Sequence, residues 1–193
     1  MADNTVPTES AACDVAHTPV PAASSVAAGG PGGGDRTLIA VFAAPVSAFL
    51  LRYAADAGFR GVLVEPDTAR AEGAAMAGFT VAKWLPDDID EGTDIVVTDH
   101  HRAELGIILA DALKTRARWI GLMGSPRHEG PHVEALTMLG VKAREIDRIH
   151  RPIGLDIGSR TPPEIAVSTL AGLLADRNSR SGGFYQKSLY RTN

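Results

Sequence analysis

A chain of 193 residues holds one medium domain with tails, or two small domains. A net charge of −4 and a pI near 5.8 give no electrostatic reason to expect nucleic acid, and a single cysteine, Cys13, excludes an internal disulfide or a multi-thiolate metal site. No run reaches the roughly 18 apolar residues of a membrane span, and no basic stretch precedes an apolar core at the start, so a cytoplasmic protein without membrane attachment is expected.

Residues 1–36 are rich in Ala, Pro, Ser, Thr and Gly and end in GGPGGG. Such a stretch cannot bury enough apolar surface to offset its ordering entropy, so a disordered leader is predicted. Cys13 lies within it, with nothing basic nearby to lower its thiol pKa, and reads as an incidental thiol. From Thr37 the pattern changes. TLIAVF is a continuous apolar run, suited to a strand buried on both faces. AAPVSAFLLRYAADAGF then predicts a helix, with Pro45 in its first turn and Gly58 at its C-terminal end. RGVLVEP is a second buried strand, followed by an Ala-rich helix over about 68–77 and a short strand around 79–82. DIVVTDHH is a strand with a polar end, RAELGIILADALKT an amphipathic helix, ARWIGLMGS a further strand, and HVEALTMLG a helix closed by Gly140.

The acidic-basic piece AREIDRIH leads into RPIGLDIGSRTPPEIAVSTLAGLLA. Thr161 followed three residues later by Glu164 is a reciprocal N-terminal capping pair. Pro162 occupies the first helical position, where its missing N–H costs nothing. The helix beyond is apolar all round, so burial on most sides is expected. After Arg177 the chain turns polar, and residues 178–193 are expected to form a flexible tail.

Helices alternating with continuously apolar strands imply a doubly wound, mostly parallel α/β sheet of the Rossmann type, a three-layer αβα domain over 37–177. Ligands of such folds bind outside the carboxyl ends of the strands. The first turn there reads FAAPVS, with alanines where a dinucleotide fingerprint needs glycines, so a narrowed or lost phosphate pocket is predicted. Glu65 nonetheless ends the second strand about 20 residues on, where a ribose-binding acid sits in dinucleotide enzymes. Thr98-Asp99-His100-His101 offers ligand or acid–base groups, although adjacent histidines on a strand point to opposite faces, and Thr98 or Asp99 could simply cap the next helix. In GLMGSPRHEG, the Gly124-Ser125-x-Arg127 turn offers backbone donors, a hydroxyl and a cation, suited to a phosphate, without the signature of a P-loop or a nucleophile elbow. In PIGLDIG, Gly154 and Gly158 flank Asp156, a carboxylate with no helix of its own to cap. Glu164 already has a structural role as the cap partner.

Three of these pieces, in order, carry a resemblance. VVTDHHRAEL, ARWIGLMGSPR and above all IHRPIGLDIGSRTPPEIAVSTLAGLLA resemble the xanthine dehydrogenase accessory protein family, XdhC/CoxF, in its C-terminal Rossmann-like domain, over about 37–175. The resemblance implies an accessory, chaperone-type protein rather than an enzyme. It implies transient binding of molybdenum cofactor, or a related pterin phosphate, and help in loading a molybdenum hydroxylase such as xanthine or carbon monoxide dehydrogenase. Carried onto this chain, the cofactor-binding candidates are Thr98, His101, Gly124, Ser125, Arg127, Asp156 and Glu164, with no metal ligand and no catalytic residue among them. The sequence also departs from the family pattern. Ala43-Ala44-Pro45 replaces glycines and a histidine, Asp99 a histidine, Asp67 an arginine and Gly172 a glutamate, and the separate N-terminal domain of longer members is not expected here. These departures weaken NAD(P) binding most. An NAD(P)-dependent oxidoreductase is one rival reading; a degenerate, non-binding scaffold of the same fold is another. Small residues on the last helix allow close packing, within the domain or across a homodimer.

Overall fold

The structure, a computed structural model, describes residues 36–124 and 130–184. The leader through residue 35 with Cys13, the turn residues Ser125 and Arg127, and the tail from 185 lie outside the described residues. Six strands, all parallel, form one sheet in the order β3-β2-β1-β4-β5-β6. They are β1 (Thr37–Val41), β2 (Arg60–Val64), β3 (Val81–Ala82), β4 (Thr93–Val97), β5 (Trp119–Leu122) and β6 (Ile149–His150). The helices are α1 (Pro45–Asp56), α2 (Thr68–Met76), α3 (Leu105–Ala112), α4 (Pro131–Met138), α5 (Ala143–Ile146) and α6 (Pro162–Arg177). This is the expected doubly wound fold. The chain winds outward from β1 to β3, returns to β4 beside β1, and winds outward the other way.

β1 and β4 are buried along their whole length. Their side chains alternate between the two faces of the sheet. Ile39, Val41, Ile95 and Val97 face a core with Ile108 and Leu109 of α3 and Leu136 of α4. Leu38 and Val96 face the other core, with Leu50 of α1 and Leu170 and Leu173 of α6. Pro45 does open α1, and Gly58 beyond its end takes φ +84, a value that suits glycine.

Several boundaries differ from the sequence expectation. The first strand stops at Val41, because Phe42 takes φ +74 and turns the chain. The strand through 94–101 stops at Val97, so Thr98–His101 lie in a bend. α3 begins at Leu105, three residues later than expected, because Arg102 is used elsewhere. AREIDRIH carries a short helix and the sixth strand, neither of which its mixed charge announced.

α6 returns across the sheet and is fixed at its far end. Arg177 Nε donates to Asp94 Oδ2 over 2.6 Å, and Arg118 Nε to Asp94 Oδ1 over 2.8 Å. Arg118 also pairs with Asp176. Asp94 is fully buried at the start of β4, so these two guanidinium groups are what make its charge tolerable there.

Candidate functional site

The carboxyl edge of the sheet divides at β1 and β4, where the winding reverses. On the β1–β2 side the edge is closed from within. Glu65, fully buried just past β2, accepts four N–H groups. Ala43 N donates to Oε2 over 2.7 Å and Asp67 N to Oε1 over 2.9 Å. Arg102 adds a two-pronged contact, Nη1 to Oε2 over 3.2 Å and Nη2 to Oε1 over 2.9 Å. Four donors occupy the acceptor positions of both oxygens, which leaves none for a ribose hydroxyl. Burial alone would push the Glu65 carboxyl up; the Arg102 guanidinium and the two backbone N–H groups outweigh it and hold the carboxyl below its usual range. Arg102 also lies over the ring of Phe42, 4.7 Å from its centroid.

Phe42 sits where the chain leaves β1 and is fully buried, yet its φ of +74 is a glycine conformation. The alanines of the turn stand out in the sequence, but the residue that takes the glycine-like backbone is the phenylalanine before them. Thr98 steadies this strained peptide. Its backbone N–H donates to Val41 O, and its Oγ1 lies 2.8 Å from Val41 O and 2.9 Å from Phe42 O. Of the proposed binding residues, Thr98 is therefore buried and committed to the β1–β4 junction. Ser47, which no sequence motif singles out, caps α1 from inside: its Oγ accepts from Ala44 N and donates to Ala44 O. Asp67 caps α2, accepting from Arg70 N over 2.9 Å.

The two histidines after β4 are not split between faces. Because the strand has ended, alternation no longer applies, and their ring centroids lie 4.0 Å apart. Asp99 does not cap α3; its Oδ1 accepts from His101 N and shapes the bend. His101 is exposed, and His100 is half-buried. Partial burial, followed by the neighbouring His101 and Arg151, lowers the His100 pKa, against a smaller opposing effect of Asp99 and of a hydrogen bond to the Met123 backbone.

On the β5–β6 side, glycines admit side chains onto the edge. A Cβ at Gly124 would lie 2.7 Å from both Nε and Nη2 of Arg151, and a Cβ at Gly130 would meet the His132 ring and come within 3.0 Å of Arg151 Nε. Glycine at both positions is what lets the guanidinium and the imidazole lie against the backbone. His132 is 7% exposed, and its Nδ1 is buried with no hydrogen-bond partner among the described residues. Burial, then Arg151, lowers its pKa. From the sequence, His150 and Arg151 could add charge to the crevice or lie in solvent, whereas nothing there singles out His132.

The PIGLDIG loop lies along α6. Ser168 Oγ donates to Leu155 O over 2.6 Å, and Leu155 N donates to Ser168 O over 3.1 Å. Gly154 takes φ +91, and a Cβ there would lie 2.6 Å from Ser168 Oγ. A Cβ at Gly172 would come within 3.1 Å of Gly154 Cα, so the departure from glutamate at this position is a close backbone approach. Asp156 stands exposed in a tight turn closed by Ile157 N to Leu155 O. Glu164 forms its half of the expected cap: Oε2 accepts from Arg160 N over 2.9 Å and Thr161 N over 3.0 Å, and these bonds lower its pKa. The edge thus gathers Thr98, His101 and Gly124 after neighbouring strands, with Asp156 and Glu164 in the loop and helix that follow β6. Ser125 and Arg127 fall outside the described residues. Among the described residues no three His, Cys, Asp or Glu side chains are grouped to hold a metal ion, and no helix is long and apolar enough to cross a membrane.

Residues 38–173 match the family described as the XdhC Rossmann domain. The chain belongs to that family. It is 41% identical over 69 residues to the uncharacterized protein YqeB of Escherichia coli K12, a match covering 36% of this chain and 13% of the relative. It also superposes, with a TM-score of 0.59 and 25% identity, on a crystal structure from Bacillus halodurans titled as a xanthine dehydrogenase, over 75% of this chain and 45% of that one. The chain thus spans less than half the length of either relative.

Proposed function

We propose that the chain is an accessory protein of a molybdenum hydroxylase of the xanthine or carbon monoxide dehydrogenase type. In this reading it binds molybdenum cofactor, or a related pterin phosphate, and assists its insertion. Membership of the XdhC Rossmann domain family carries the reading, supported by the likeness to the Bacillus halodurans protein. The phosphate belongs near Gly124, with Ser125 and Arg127 assigned on sequence grounds; His101 and Asp156 are exposed at the same edge, and Glu164 holds the loop that presents Asp156.

A nicotinamide oxidoreductase fits the geometry poorly. The acid that would hold the ribose already accepts four N–H groups, and the turn that would hold the pyrophosphate contains Phe42 and Pro45. The decisive experiment supplies cofactor anaerobically to the purified full chain and measures pterin retained after gel filtration. Retention with stoichiometry near one supports the reading; no retention by folded protein overturns it. Titration with NAD and NADP to millimolar concentration tests the rival, and no binding is expected.

A further inference from the structure

We propose that Arg151 and His132 form an oxyanion site at the carboxyl ends of β5 and β6, which takes the phosphate monoester of the ligand. The inference rests on the accessory reading for the identity of that ligand, but the site itself stands on geometry.

Three observations converge. First, Arg151 lies against Gly124 and Gly130, positions where any Cβ would strike it or the His132 ring. The backbone is shaped around these side chains. Second, His132 is more than nine-tenths buried, and its Nδ1 lacks a hydrogen-bond partner among the described residues. A buried polar atom left without a partner costs stability, so a folded protein that keeps one is expected to use it. Third, His132 sits in the first turn of α4, whose N-cap is Gly130 and which has no capping side chain. The N–H groups of that first turn favour an anion.

Arg151 lies against Gly124 and against Gly130, the residue the His132 ring also meets, and its charge acts on His132 and on the half-buried His100. The charged or titratable groups acting on His100 are His101, Arg151 and Asp99; on His132, among the described residues, Arg151 alone. An anion placed at the buried His132 Nδ1 draws a proton onto that imidazole, which then donates to it. Binding should therefore strengthen as pH falls through the histidine range. A planar guanidinium suits a phosphate, and a His132 ring protonated at Nδ1 donates to it.

The test uses the full-length chain and two probes, inorganic phosphate and a pterin monophosphate, titrated calorimetrically at pH 6 and pH 8. Relative to His132→Asn, which shares the titration of phosphate itself, wild type is expected to gain about threefold or more in phosphate affinity from pH 8 to pH 6, with extra proton uptake detected by comparing buffers of different ionisation enthalpy. Arg151→Gln should weaken it at least about tenfold, while Arg151→Lys, which keeps the charge and tests for damage to the fold, should retain part of the affinity. His132→Asn keeps a polar atom near the Nδ1 position and should retain only the pH dependence of phosphate itself. Phosphate that fails to bind folded wild-type protein at about 20 mM, or that binds Arg151→Gln as tightly as wild type, overturns the site. Pterin monophosphate bound equally by wild type and Arg151→Gln also overturns it and leaves the accessory reading standing. Phosphate binding lost in Arg151→Gln, with no pterin retained by wild type, keeps the site and removes the accessory reading.

Discussion

The two halves of the carboxyl edge are built from the same fold and have opposite internal chemistry. Beside β1 and β2, charge is settled within the protein: Glu65 has four donors, Arg102 has a carboxylate and an aromatic ring, and Thr98 is spent on two carbonyls. Beside β5 and β6, two glycines clear space for an arginine and an imidazole, and the imidazole retains a buried nitrogen without a hydrogen-bond partner among the described residues. The half that holds the pyrophosphate in dinucleotide enzymes has become a structural joint here. On the proposed reading, binding falls to the other half.

The largest effect should come from breaking that joint. Arg102→Ala leaves the Glu65 carboxylate buried without its main counter-charge, and breaking a buried pair in this way costs about 3–5 kcal/mol. Urea denaturation at pH 7 should show a correspondingly lower midpoint. Because the folded-state pKa of Glu65 is held down, the stability it contributes is present above its unfolded value near 4.5 and is lost as pH falls through the folded value. Arg102→Ala should lose that acid-side slope. Phosphate binding at the other half should be unchanged, and a loss there in a folded variant would show that the two halves are coupled.

Phe42→Gly is the next test. Glycine relieves a left-handed backbone by about 1–2 kcal/mol but removes a fully buried aromatic whose loss costs about 3–5 kcal/mol. A net loss of about 2 kcal/mol is expected by denaturation. A stabilised variant would mean that backbone strain, not the ring beneath Arg102, dominates the joint. Gly172→Ala probes the support of the other half. Alanine suits a helix better than glycine by about 1 kcal/mol, yet its Cβ would press on Gly154 at 3.1 Å and lift the loop from α6. A net cost of about 1 kcal/mol is expected, with faster amide exchange at Leu155, whose N–H bonds to Ser168 O.

The sheet was legible because its strands are continuous apolar runs and its helices carry explicit stops and starts: Pro45, Gly58, Gly140 and the Thr161–Glu164 pair fall where the fold uses them. β6 was not legible, because Ile149–His150 is two residues inside a charged piece and is a strand only by pairing with Ile120 and Gly121. The candidate site was legible in location and only partly in membership. Strand ends pointed to Thr98 and Gly124, but no local pattern shows that Thr98 faces inward to Val41 and Phe42. No sequence spacing brings Arg151, one residue past β6, onto Gly124, one past Met123; that meeting depends on the register of β5 with β6. Glu65 was placed correctly at the strand end, and its partner Arg102, 37 residues away, reversed its meaning.

The smallest effect at neutral pH, and the one most specific to the β5–β6 half, belongs to His132. Burial and Arg151 hold its folded pKa below the unfolded value near 6.5. Between those two values the unfolded chain binds the proton and the folded chain does not, so stability must fall as pH drops below about 6.5 and level off once the folded group is also protonated. One histidine can contribute a slope of at most about 1.4 kcal/mol per pH unit. His132→Asn should match wild type at pH 8 and lose part of this slope, with the remainder due to His100, whose pKa is also lowered. Saturating phosphate should flatten the wild-type curve in the same window, because an anion that favours the charged imidazole restores to the folded state the proton it otherwise refuses. Identical slopes for wild type and His132→Asn, with and without phosphate, would place His132 outside the titrating group and erase the contrast between the two halves.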